Sequence, residues 1–203
     1  QDAASRIAVV AAMVLFLSAC SSSPDAAGPG SCRSLHVSAA SSPEGESPTH
    51  EDVVVSMGSS STMTGSAPLP VLTVDGQIYA RPDAKSAEAS WRRAAVDKAT
   101  VDDIRECLDG QAFQSLDASY TESRRQLGDD RFCAVADAGT TDIAAGPAVS
   151  QSKTVSAYGL STSGCLKHPE SLVGLHDALS DMWVLVAETG DSTEVDVAQL
   201  KLQ

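Results

Sequence analysis

The sequence predicts an α+β fold, a small mainly antiparallel sheet with one or two packed helices, preceded by a signal peptide and a disordered linker. Three observations predict it. Val71-Leu72-Thr73-Val74-Asp75-Gly76-Gln77-Ile78-Tyr79-Ala80 sets Asp-Gly between two strand-like runs, the pattern of a hairpin. Pro169 is followed by Leu172, Leu175, Leu179, Met182 and Val186 at spacings of three and four, the period of a helix with one apolar face. Strand-like and helix-like segments succeed one another without regular βαβ alternation.

A length of 203 residues accommodates one domain plus extensions. Hydrophobic residues make up 42% of the chain but aromatic ones only 4%, so the core is expected to be small. Lys and Arg number 14 against 27 Asp and Glu, a net charge of −13. A surface of that sign repels a phosphate backbone, which argues against a nucleic-acid partner. It equally disfavours adsorption to anionic headgroups, so membrane attachment would need a covalent or hydrophobic device.

Such a device stands in residues 1–19, which read as a signal peptide. Arg6 precedes the apolar run Ile7 to Leu17, long enough for a signal h-region and too short to span a bilayer comfortably. The sequence begins with Gln1 rather than Met, so the positive n-region is expected to be incomplete. Leu17-Ser18-Ala19-Cys20 resembles the lipobox of bacterial lipoproteins: Leu, two small residues and the Cys that is lipidated. The resemblance implies cleavage before Cys20, a diacylglycerol on its thiol, and anchoring to the cell membrane on its extracytoplasmic face. An uncleaved transmembrane anchor is the weaker reading, given the short run and the small residues at the cleavage site.

Residues 20–50 read as the lipidated Cys followed by a flexible Ser/Pro/Gly linker, with almost no large apolar side chains to bury. The domain is assigned to residues 51–203. Val53-Val54-Val55-Ser56-Met57 opens it as a β-branched strand. In the Asp-Gly hairpin, a type I′ turn is expected, with Leu72 and Val74 on one face and Val71 on the other, so the sheet is expected to be covered on both sides. Trp91 to Val96 suits either a strand or a helix start. Thr100-Val101-Asp102-Asp103-Ile104 resembles a capped helix N-terminus, with the helix running from about Val101 to Leu108 and Gly110 following it. Cys133 to Ala136 and Lys153 to Tyr158 read as two further strands, and the helix from Pro169 closes the pattern.

This order, with the segments ATVDDIRECLD, CAVADAGTTD, KTVSAYGL and HPESLVGLHDAL, resembles uncharacterised surface lipoproteins of high-GC Gram-positive bacteria over residues 53–182. The resemblance implies a location and a fold rather than an activity.

With Cys20 set aside, Cys32, Cys107, Cys133 and Cys165 are an even set in an exported chain, where disulfides are favoured. Three pairings are open. Cys133 with Cys165 is preferred because these residues flank strands expected to be neighbours, leaving Cys32 with Cys107. No Cys-x-x-Cys occurs, which argues against zinc.

His36, His50, His168 and His176 read as solvated side chains, the last two about two helical turns apart and unable to share one metal directly. Ser150-Gln151-Ser152-Lys153 matches the S-x-x-K nucleophile motif, but it precedes a strand and lacks the companion motifs. Gly159-Leu160-Ser161-Thr162-Ser163-Gly164 has one residue too many for a nucleophile elbow. Asp102, Asp103, Glu106 and Asp109 read as a solvated helix face, and Asp129-Asp130 as a loop without calcium-binding spacing. No catalytic residue, cofactor or metal is expected. The sequence thus predicts a membrane-anchored envelope lipoprotein whose domain binds an envelope protein or small ligand; the alternative is an envelope hydrolase with an unrecognised active site.

Overall fold

A computed structural model describes residues 31–41, 48–61, 65–81, 90–161 and 165–192. The signal peptide, the lipobox with Cys20 and residues 21–30 lie outside them. The strands are β1 (Ala39–Ala40), β2 (Val53–Ser61), β3 (Gly65–Thr73), β4 (Gln77–Ala80), β5 (Arg92–Val96), β6 (Ser119–Tyr120), β7 (Arg124–Gly128), β8 (Arg131–Ala134), β9 (Thr140–Ala145), β10 (Lys153–Tyr158) and β11 (Asp191–Ser192). The helices are α1 (Lys98–Asp109), the single turn α2 (Gln111–Gln114) and α3 (Glu170–Thr189). Nine strands form one sheet in the order β1-β5-β4-β3-β2-β9-β10-β6, with β11 also on β5, while β7 and β8 make a separate hairpin. Only the β10–β6 pairing is parallel among the described strands. The fold is α+β, as the sequence predicts.

The core lies between one face of the sheet and helices α1 and α3. Strand alternation sends Leu72, Ile78, Ala94, Ile143 and Val155 into it, and α3 contributes Leu172, Leu175, Leu179, Met182 and Val186, all buried. Each such leucine stabilises the fold by roughly 2 kcal/mol through loss of apolar surface from water. On the opposite sheet face Val53, Val71, Tyr79 and Trp91 form a second buried cluster, so this part of the sheet is covered on both sides.

The Asp-Gly turn joins β3 to β4, but its form differs from the expected one. Gly76 alone takes a positive φ, 81°, and its N–H donates to Thr73 O at 3.0 Å. This is a turn followed by a left-handed glycine, a three-residue hairpin loop, and not a type I′ turn with two positive φ angles. Val74 consequently sits in the loop and is exposed rather than on the face of Leu72.

Trp91 to Val96 resolves as a strand, in which Arg92 leans toward α3 and donates to Ala187 O at 2.7 Å. Helix α1 begins before Val101 because Asp97 is its cap: the carboxylate accepts from Thr100 N and from Thr100 Oγ1, each at 2.8 Å. Those two hydrogen bonds hold the Asp97 carboxyl below its usual range. Thr100, expected as the cap, is instead buried, with its hydroxyl against His36 O and Ser38 N.

That contact bears on the linker boundary. Residues 31–40, assigned to the linker from composition, pack on the domain: Ala39 and Ala40 pair with Val96 and Ala95, and Cys32 is fully buried. Cys32 is disulfide-bonded to Cys107 of α1, with the Cα atoms 5.0 Å apart. The expected strand at Cys133 to Ala136 is also displaced. β8 ends at Ala134 and belongs to the hairpin with β7, while the neighbour of β10 is β9, whose Thr141, Ile143 and Ala145 point to the core. The disulfide Cys133–Cys165, Cα atoms 5.5 Å apart, therefore ties the hairpin to the segment before α3 rather than joining two adjacent strands.

Candidate binding site at the hairpin end

At one edge of the sheet, β6 runs beside β10, with Ser119 opposite Ser156 and Tyr120 opposite Ala157. The Tyr120 hydroxyl accepts a hydrogen bond from Asp117 N at 3.0 Å, which holds the ring over the edge. There it meets His168, in the segment entering α3, edge to face at 85° with ring centroids 6.2 Å apart. Tyr120 and His168 form part of a cleft of about 410 Å³, completed by Asp117, Glu122, Arg125 and Lys167 among others. The volume falls within the range of about 300–1,000 Å³ typical of small-molecule sites.

His168 is not the solvated histidine expected. Both ring nitrogens are shielded from solvent and neither has a hydrogen-bond partner of ordinary geometry. Desolvation lowers its pKa from 6.5; the Tyr158 backbone opposes that shift and the nearby His176 adds to it. Burial thus disfavours the charged imidazolium at this position. No hydroxyl is bound to it.

The β7–β8 hairpin forms the outer part of this end. Arg124 pairs with Ala134, Arg125 with Cys133 and Gln126 with Phe132. Strand alternation then puts Arg124 and Phe132 on one face and Arg125 and Cys133 on the other. The second face is tied by the Cys133–Cys165 disulfide to the segment carrying Lys167 and His168. On the first face the Arg124 guanidinium lies 4.6 Å from the centroid of Phe132, which is 60% exposed; Leu127, at the irregularity before the turn, is 52% exposed. Among the described residues no ion pair involves Arg124, Arg125 or Arg131.

The other side chains singled out from sequence do not converge. Cys20 lies outside the described residues. His36 and His50 are exposed, and His176 lies beside Asp177 at 3.2 Å. Ser150 N is bonded to Asp109 and the Lys153 ammonium to the carbonyls of Gln114 and Leu116, so the S-x-x-K pair is engaged in loop contacts. Of the acidic residues on α1, Asp102 pairs with Lys98, and Asp103 and Glu106 face solvent. Asp129 and Asp130 form the hairpin turn. Ser161 is described, but Thr162 to Gly164 are outside the described residues. Among the described residues no three His, Cys, Asp or Glu side chains are grouped to hold a metal ion. No helix among them is long and apolar enough to cross a membrane.

Sequence reading missed Tyr120, Glu122, Arg125 and Lys167. The available signal was Arg124-Arg125 and Arg131 close together in a chain of net charge −13. Comparison with family models, curated proteins and solved structures finds no match to this chain.

Proposed function

We propose that this chain is a lipid-anchored module of the bacterial cell envelope, held at the extracytoplasmic face through Cys20, that binds a protein partner through the β7–β8 hairpin. The observation that carries the reading is the exposure of Phe132 and Leu127 on a hairpin that pairs with no strand of the main sheet. An isolated two-stranded hairpin is marginally stable in water, and exposed aromatic and Arg side chains are the residues most enriched at the centres of protein interfaces. The disulfide to Cys165 holds the hairpin on the domain and reduces the entropy lost when it docks. Arg124, beside Phe132 on the same face and without a carboxylate partner among the described residues, suits an acidic surface.

In-cell crosslinking followed by mass spectrometry of wild type, Phe132→Ser and Cys20→Ala tests this. A defined partner captured by wild type, lost with Phe132→Ser and diminished when Cys20→Ala removes the anchor, is the expected result. Equal capture by Phe132→Ser, or none from abundant wild type, overturns the docking role. Membrane retention of a correctly cleaved Cys20→Ala chain overturns the anchor.

A further inference from the structure

The inner side of the hairpin end has a separate chemistry. Four charged side chains of both signs line the cleft, Asp117 and Glu122 against Arg125 and Lys167, and no ion pair joins any of them. They also divide along the chain. Asp117 and Glu122 flank β6, whereas Arg125 and Lys167 belong to segments joined by the Cys133–Cys165 disulfide, Arg125 opposite Cys133 in the ladder and Lys167 two residues after Cys165. A simple anion would meet two carboxylates there, and a simple cation would meet two basic groups. A ligand with a positive and a negative end satisfies both pairs at once. Tyr120 and His168, packed edge to face, line the same cleft and offer aromatic surface beside the charged groups.

We propose that this cleft is a binding site for a small zwitterion, a free amino acid or a dipeptide, whose carboxylate is held by Arg125 and Lys167 and whose ammonium is held by Asp117 and Glu122. A cleft of about 410 Å³ accommodates a ligand of that size. The site concerns the face of Arg125 and stands or falls separately from the docking role of Phe132.

Isothermal titration of the full chain with the common L-amino acids and L-alanyl-L-alanine tests the site. The controls are N-acetyl-alanyl-alanine, which lacks the ammonium, and alanyl-alanine amide, which lacks the carboxylate. Saturable binding of at least one zwitterion is expected, weakened by about tenfold or more when either end is blocked, as loss of a charge-assisted contact predicts. Glu122→Gln should restore relative preference for the N-acetyl form, and Arg125→Gln for the amide. Absence of binding by every zwitterion, or equal binding of a blocked form, overturns the proposal even if crosslinking through Phe132 succeeds. Because the blocked ligands are tested on wild type, the result does not depend on either variant folding.

Discussion

Gly174 of α3 lies directly against the backbone of Cys32: a Cβ built on the glycine would stand 2.0 Å from the Cys32 carbonyl oxygen. No side chain fits there without displacing backbone. Cys32 in turn is bonded to Cys107 of α1, so this one contact brings the N-terminal segment, α1 and α3 to a common junction.

Gly174→Ala should therefore destabilise the domain, although alanine is the better helix former by about 1 kcal/mol. Forcing an extra carbon into a packed site costs about 1–3 kcal/mol, and here the obstacle is backbone held by a disulfide. Urea unfolding should show a lower midpoint at unchanged slope. A midpoint equal to or above that of wild type would mean that the segment around Cys32 can lift off α3 at little cost.

The two disulfides should differ in their response to reductant. Cys32 and Cys107 are fully buried, whereas Cys133 and Cys165 are only partly so. Thiolate attack needs access, so mild reductant should open Cys133–Cys165 first, with the far-ultraviolet circular dichroism of the domain retained. Loop lengths of 75 and 32 residues give chain-entropy stabilisations of about 4.5 and about 3.7 kcal/mol, and loss of the first should unfold far more of the molecule. Mass-spectrometric thiol trapping along a reductant series checks the order. Simultaneous opening would show that the hairpin tether is shielded as well as the core bridge.

The legible parts of this fold are those with a clear period. The apolar positions of α3, and the strand-like runs that flank Asp75-Gly76 with apolar residues on both faces, each match a single element type, so their burial follows from sequence. Thr141, Ile143 and Ala145 of β9 carry an alternating signal that small side chains weaken. The β7–β8 hairpin has no buried face to impose a pattern, and residues 31–40 dock through a disulfide, Thr100, a two-residue strand and only two large apolar side chains, Leu35 and Val37, too few to stand out in a Ser-rich segment. The cleft was illegible for another reason: its lining comes from residues 117–125 and 166–168, segments distant in sequence that a parallel strand pairing and the Cys133–Cys165 disulfide help to position.

Burial of His168 predicts a pH dependence of stability. Its pKa is depressed in the folded protein, so the unfolded chain takes up the proton first as pH falls below about 6.5. This contribution is full above 6.5 and is lost as pH drops from there toward the lower folded value. His168→Phe should flatten that part of the stability profile in urea titrations at successive pH values, while keeping an aromatic ring beside Tyr120. A profile unchanged by the substitution would mean that His168 is not what titrates there.

Phe132 should matter for binding and not for folding. Its ring is 60% exposed and meets only the Arg124 guanidinium at 4.6 Å, a contact worth about 0.5–1 kcal/mol at an exposed site. Phe132→Ser should thus shift the unfolding free energy by no more than about 1 kcal/mol, and Leu127→Ser should be near neutral, since exposed substitutions rarely exceed about 0.5 kcal/mol. Binding of an apolar dye to the native state should fall in both, because these two side chains are the most exposed large apolar groups among the described residues. Partner capture should fall with them, and it should weaken with added salt if Arg124 contributes. The combination is diagnostic, because a side chain that served only the fold would lower stability and binding together. A large drop in the unfolding midpoint of Phe132→Ser would place the ring in the domain's own packing and remove the hairpin as the docking surface.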